Sequence, residues 1–312
     1  MTLGFGNQGL PMYGSNPFRT PYGNILPPGG KVAAYVHHGG IAAVDDDGYR
    51  DKLVATLAGG LDRCRSGYPD IVMVLPGHTE SVTDGTMLAN MKAGNQIIGV
   101  GVGQLRPTFN FTTTASQWAL ANHSCLVTGL QLNVDGADGV VNAIDINGAD
   151  CVLAGNTIRL ASGAALKAAI GVSVSAARVK LMANYFYGTA THNVTDGVLV
   201  DTAVDGVQIN DNVLLASATA ANGLIRVSAA ALNLWISRNQ VLNSHTSSTA
   251  CIAVGNVAAT GIISHNMVAT INNGTATAQG VVLGAAALVR AFENYSSDQP
   301  ILSGIIAPGP CT

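Results

Sequence analysis

A period constrains this chain more than any other feature. An asparagine followed by a short apolar run recurs at Asn156, Asn184, Asn212, Asn239, Asn266 and Asn294, in steps of 28, 28, 27, 27 and 28 residues. Upstream, Gly129 in Val-Thr-Gly-Leu lies 27 residues before Asn156 and is read as filling the same slot one unit earlier. A spacing held this tightly is the signature of stacked structural repeats, in which each unit buries its apolar face only against its neighbours. Within each unit the apolar runs are short and show no extended helical stripe, so the units are coils of β-strands. The expected fold is an all-β, single-stranded parallel β-helix of about seven to nine coils, entered through a helical cap.

The asparagine column is read as structural. A coil must turn sharply between sheets, and asparagine tolerates left-handed backbone and bonds its own backbone in an Asx turn. Stacked once per coil, the amides can also bond to one another as a ladder. The residues just before them, including Asp211, Arg238, His265 and Glu293, vary in type and are expected to face solvent or a neighbour. A second run recurs 11 to 14 residues after each register mark, beginning at Ala143, Ala169, Gly197, Gly223, Cys251 and Gly280. The intervening segments, such as 188–195 and 244–249, are polar loops on one side of the coils.

Composition agrees with a stack whose coils cover one another. Charged residues make up 11% of the chain, against about 25% in ordinary globular proteins, and apolar residues 48%. The formal net charge is -3, with no basic stripe to attract a phosphate backbone, so no nucleic-acid partner is expected. The best apolar run, Val281 to Val289, is far short of the roughly 20 residues that span a bilayer, and no membrane partner is expected. The start, Met-Thr-Leu-Gly-Phe-Gly, lacks the basic and apolar regions of a secretory signal. Cys64, Cys125, Cys151, Cys251 and Cys311 form no CxxC pair or zinc spacing; Cys125 and Cys151 open similar strands and are read as stacked core residues.

Four segments follow. Residues 1–30 hold seven glycines, five prolines, four aromatics and one charge (Arg19), which reads as an extended arm that lays rings and prolines on another subunit. Residues 31–95 read as an entry cap: a strand at 31–36, a helical stripe through Leu53, Leu57 and Leu61, a strand over 70–75, and a short helical turn after Asp84. Residues 96–298 are the coils, and 299–312 a Pro- and Gly-punctuated tail.

Tests for chemistry return no converging group. A polysaccharide lyase needs clustered carboxylates for calcium and a nearby base. Counted by period, Asp145 falls in line with Gly171 and Leu199, and Asp201 with Ser173 and Val227. The coil arginines, Arg159, Arg178, Arg226, Arg238 and Arg290, look scattered. For a hydrolase, Asp201, Asp205 and Asp211 are the nearest candidates, but the last two read as turn residues. Tyr185-Phe186-Tyr187 is the best aromatic patch, read as one ring on one face and two on the other. His37-His38, Asp45 to Asp47 and His78 lack the spacing of a metal motif, and Gly99, Gly101 and Gly103 precede no helix that would hold phosphate. No catalytic residue, cofactor or metal is therefore assigned.

The stretch Val72-Met-Val-Leu-Pro-Gly-His-Thr-Glu-Ser-Val-Thr83, followed by Gln96-Ile-Ile-Gly-Val-Gly-Val-Gly-Gln-Leu-Arg-Pro-Thr-Phe109, resembles the opening of right-handed, pectate-lyase-like parallel β-helices of tailed bacteriophages. The resemblance covers residues 31–298. It implies a non-enzymatic virion structural protein, assembled in the host cytoplasm: a homotrimeric capsid decoration or head fibre. Its 1–30 arm would dock on the major capsid protein or another virion protein. The alternative it carries is a tailspike that binds or depolymerises host glycans.

Overall fold

A computed structural model describes residues 30–37, 53–134, 139–160, 168–188, 194–218, 223–245, 250–270, 279–284, 288–296 and 305–306. The two polar loops named above fall largely outside these residues, as do the N-terminal arm, Asp45 to Asp47, and the tail except for 305–306.

The chain is an all-β parallel solenoid of about seven turns with almost no helix. One turn shows the plan. Val194–Val200 belongs to the third sheet, Gln208–Asn210 to the first and Val213–Ala216 to the second, after which Ile225–Val227 re-enters the third. Among the described residues, stacked turns build a first sheet of 11 strands, a second of 10 and a third of 7. The pairing is parallel throughout, except where Ile305–Ile306 runs antiparallel to Asn294–Ser296. Periodicity reveals the second and third sheets. The first, whose strands of three to five residues directly precede the asparagines, is the sheet that the repeat pattern left implicit. Its strands continue upstream through Ile71–Val74 and, with a register shift between Val32 and Ala34, Val32–Val36.

Strands of the first sheet are short because left-handed residues bracket them. On the entry side stand Ser124, Asp150, Arg178, Gly206 and Asn233, with φ between 52° and 71°. On the exit side stand Gly129, Gly155, Ala183, Asp211, Arg238, His265 and Glu293, with φ between 51° and 77°. This corrects the expected register by one residue. Gln131 pairs with Thr157, which sets Leu130 opposite Asn156 and Gly129 opposite Gly155. The left-handed position is therefore the residue before each asparagine, not the asparagine itself. Neither column contains a β-branched residue, the type that left-handed backbone tolerates least. At the first corner even alanine is excluded: a Cβ on Gly129 would lie 2.4 Å from the Gly99 carbonyl oxygen.

Inward columns from the three sheets close one continuous core. The first sheet contributes Val127, Leu153, Leu181, Ile209, Ile236 and Ile263; the second, Leu132, Ile158, Phe186 and Leu214; the third, Ile144, Val172, Val198, Ile225 and Ile252. Each such side chain contributes about 1.5–3 kcal/mol by leaving water. Near the start, Phe109 packs edge-on against the fully buried Trp118, with centroids 4.8 Å apart.

In the entry segment the predicted helical stripe divides. Leu53 lies in the strand Leu53–Val54, and the helix spans Leu57–Asp62, with the Thr56 hydroxyl accepting from the Gly59 amide at 3.2 Å. Gly60, which weakens the helix intrinsically, is needed for contact: a Cβ there would sit 2.9 Å from Val72 Cγ1. The turn expected after Asp84 forms without a helix; Asp84 Oδ1 accepts from the Thr86 amide at 2.8 Å.

Asp70 anchors this segment. Its buried carboxylate accepts from the Arg65 amide, Nε and Nη2 at 2.9, 2.9 and 2.6 Å and from the Lys31 amide at 3.3 Å. Burial pushes this carboxyl up, but the Arg65 guanidinium and the two amides outweigh it and hold it below its ordinary value. A folded value below the unfolded one means stability that is present above the unfolded value and lost as pH falls through the folded value. Asp70→Asn should therefore lower the urea midpoint at neutral pH, with the gap to wild type shrinking through the acid range. A pH-independent gap would refute the electrostatic origin. Ala183→Gly should raise stability by about 0.5–1 kcal/mol, because relief of left-handed alanine exceeds the added unfolded-state entropy. A lowered thermal midpoint would sink that account.

Candidate functional site

The six register asparagines form one hydrogen-bonded ladder through the solenoid, all with at most 1% of their surface exposed. The backbone amide and Nδ2 of each both donate to Oδ1 of the next. For Asn184 to Asn212 the two distances are 3.0 Å, and the pattern holds from Asn156 through to Asn294. Nδ2 also donates to a carbonyl of the preceding turn, as in Asn212 to Leu181 at 2.9 Å and Asn239 to Ile209 at 2.7 Å. Where the asparagine column ends, Leu130 takes the slot, and its backbone amide donates to Asn156 Oδ1. The side chains thus satisfy the backbone groups that the sharp corner leaves without strand partners.

Outside the ladder, charged side chains join neighbouring turns. Arg178 forks onto Asp150 at 2.7 and 2.8 Å, and Arg238 onto Asp211 at the same distances, both from left-handed positions. His265 pairs with Glu293 one corner further on. Asp211, Arg238, His265 and Glu293 are exposed, as their varied types suggest, and they bond in pairs along the column.

The outer face of the third sheet differs from the count by period. Asp145 pairs with Ser173 in place of Gly171, then aligns with Leu199 as counted, and then with Arg226; Asp201 follows Val200 and so aligns with Ser175 and Ser228. Period counting failed here because turns differ in length by one or two residues within their loops. Arg226, which had looked scattered, donates to buried Asp196 at 2.6 and 2.7 Å. Burial raises the Asp196 carboxyl, and the Arg226 guanidinium acts against that rise. Burial also raises the Asp145 carboxyl; the Asn147 amide opposes this and the Asp201 charge adds to it.

Asp201, Asp205 and Asp211 are not brought together. Asp205 and Asp211 flank opposite ends of strand Gln208–Asn210, and Asp211 is taken by Arg238. Asp205 Oδ1 accepts from Asn233 Nδ2 at 2.8 Å and lines an open groove of about 460 Å³ beside the first sheet. Asp150, Arg178, Gly206 and Asn233 form the rim of the groove, and Val152, Lys180 and Gln208 its floor. Beyond the groove, Gln208 pairs in the sheet with Trp235, which is 49% exposed. Spacing along the chain does not show that Asp205 and Arg178 border one groove, because the entry-side turn is what brings them together.

Other candidates are structural. His78 is fully buried, 3.1 Å from Glu80 Oε2, and Glu80 in turn accepts from the Leu57 amide at the helix start. Among the described residues no group of three or more His, Cys, Asp or Glu could hold a metal. Phe186 points inward while Tyr185 and Tyr187 stack on the outer face of the second sheet, 6.0 Å apart. Cys125 and Cys151 are buried free thiols in adjacent turns, and the contact with Cys151 together with burial pushes the Cys125 thiol up.

The chain matches none of the known protein families, curated proteins or solved structures against which it was compared.

The ladder carries a direct test. Asn212→Ala removes the acceptor of two buried Asn184 donors, each worth about 1–3 kcal/mol when orphaned, so stability should fall by about 3 kcal/mol or more. A loss below about 1 kcal/mol in denaturant unfolding would show that the ladder does not hold the turns together.

Proposed function

We propose that this chain is a structural, non-enzymatic component of a tailed-phage particle: a rigid prop that assembles as a homotrimer and docks through residues 1–30. The observation that carries the self-association is an apolar strip on the outer face of the second sheet. Tyr185, Val213, Gln240, Met267 and Tyr295 follow one another across five turns, flanked by Tyr187, Leu215, Leu242 and Ala269. Gln240 interrupts the central column, but Met267 and Tyr295 are 59% and 51% exposed, and lone chains rarely leave an apolar patch of this size to water. The rigid-prop reading draws on the ladder and on the charge pairs, each of which joins one turn to another. The virion assignment draws on the resemblance of residues 72–83 and 96–109, and the docking arm on the composition of residues 1–30.

Two finer features of the fold belong to the same proposal. The coil is right-handed, as nearly all parallel crossovers are. The helix Leu57–Asp62 and its surroundings cap the first turn, where strand edges would otherwise invite pairing with other chains.

Native mass and particle binding test this reading together. The full chain should run at three times its 31.7 kDa mass and co-sediment with phage particles. Met267→Asp should lower the mass toward one chain, and deletion of residues 1–30 should abolish co-sedimentation while leaving the trimer intact. A monomeric full chain overturns the trimer, and unchanged co-sedimentation of the truncated chain overturns the arm.

A further inference from the structure

We propose that Cys125 and Cys151 are an oxidation site: hydrogen peroxide joins them into a disulfide that locks the turn holding Leu130 to the turn holding Asn156. The inference stands for a monomer or a trimer alike, since it concerns the core.

Position carries it first. Val152 pairs with Leu126, so the two cysteines stand opposite each other in adjacent turns of the first sheet. Neighbouring strands lie about 4.8 Å apart, inside the Cα separation of about 4.4–6.8 Å that a disulfide spans. Both side chains turn into the core, with 1% and 0% of their surface exposed. Each sulfur lies against a carbonyl of the preceding turn: Cys125 Sγ is 3.4 Å from the Lys92 oxygen, and Cys151 Sγ 3.1 Å from that of Asn122. The same column holds Asn95 upstream and Val179, Val207 and Leu234 downstream, so in it two thiols meet at this step alone.

That step is also where the other fastenings stop. From Asn156 onward each corner is tied to the next by two asparagine bonds, whereas at the Leu130 corner a single backbone amide reaches Asn156 Oδ1. On the entry side Asp150 forks with Arg178 of the following turn, and Ser124, its neighbour in the preceding turn, carries no charge to meet it. A covalent link here does for one seam what the ladder and the ion pairs do for the others.

The chemistry balances with peroxide as the oxidant. The Cys125 thiol donates to Cys151 and draws the Cys151 thiol below its ordinary value, while that contact and burial push Cys125 up. Cys151 therefore supplies the thiolate. Its sulfur attacks one peroxide oxygen, the O–O bond breaks and hydroxide leaves with the electron pair, taking up the thiol proton as water. Cys151 is then a sulfenic acid. The Cys125 sulfur attacks that of Cys151, the S–O bond breaks, and the hydroxyl leaves as a second water with the Cys125 proton. Two thiols have lost two electrons and two protons, and one peroxide has been reduced. Peroxide is small and uncharged, as entry to buried sulfurs requires, and Cys151 directly follows Asp150 on the rim of the open groove. The Lys92 and His123 carbonyls beside Cys125 keep the Asn95 and Gly94 amides as donors, both at 3.1 Å, once the thiol proton is gone.

The test compares the full chain, freed of reductant, before and after exposure to hydrogen peroxide. Remaining thiols are alkylated with N-ethylmaleimide on unfolding and counted by intact mass, and cross-links are located by peptide mass. The count should fall by two from the five of the reduced chain, and the missing pair should appear as a peptide joining Cys125 to Cys151. The thermal midpoint of the oxidised chain should rise by about 4 °C or more, and a thiol reductant should reverse both changes. Cys125→Ala and Cys151→Ala, small apolar changes in a column that elsewhere holds valine, should each show no cross-link and no rise. The proposal is overturned if the full chain keeps all five thiols, if the cross-link joins any other pair, if Cys151 ends as a sulfinic acid in place of the disulfide, or if the midpoint does not rise on oxidation.

Discussion

Everything in this solenoid depends on a corner made of two residues with opposite roles. The first takes a left-handed backbone and faces water; the second is an asparagine that turns inward and bonds to its copies above and below. A left-handed non-glycine residue costs about 1–2 kcal/mol, and here that strain recurs at Ala183, Asp211, Arg238, His265 and Glu293. It persists because the inward amide satisfies backbone groups that the corner strands, and because each amide also completes its neighbour's bonds. The strain and the ladder are one device. Strand length in the first sheet, the right alignment of the inward columns and the continuity of the core all follow from where that corner falls.

The same corner explains how so few charges are used. Residues in left-handed positions project outward at a fixed spacing of one turn, so an arginine can meet an aspartate in the next turn without searching many rotamers. Arg178 with Asp150 and Arg238 with Asp211 have nearly identical geometry on opposite sides of the first sheet. Exposed pairs of this kind contribute little each, of order 0–1 kcal/mol. The buried Asp196–Arg226 pair is different in kind, because removing either partner leaves a poorly solvated charge. On the entry side the pairs have a second consequence, since they also wall a groove with oriented polar groups. The apolar strip lies on the second sheet and the polar groove beside the first.

Much of the architecture was legible in the order of residues. The asparagine period alone implied stacked β-coils, an inward amide ladder and an outward-facing residue before each asparagine. Stacking of Cys125 on Cys151 and the alternation of Tyr185, Phe186 and Tyr187 were legible for the same reason: strands have a side-chain period of two and coils repeat. What could not be read was any alignment that crosses a loop. Counting by period sets Gly129 against Asn156 where Leu130 belongs, and Asp145 against Gly171 where Ser173 does, because turns differ in length by one or two residues. Leu53 joined a helical stripe by spacing, yet pairing with Tyr35 drew it into a strand.

The chain by itself therefore determined the repeat, the direction in which each side chain in a strand points, and the ladder, all of which depend on local spacing. Only the tertiary structure decided which charged residues meet, that Asp196 is buried against Arg226, and that Asp205 and Arg178 border one groove. Those contacts lie about one turn apart along the axis but some 27 to 30 residues apart in the chain. Their pairing is set by how the left-handed corners phase one turn against the next, a phase that becomes definite only once the backbone has closed its turns.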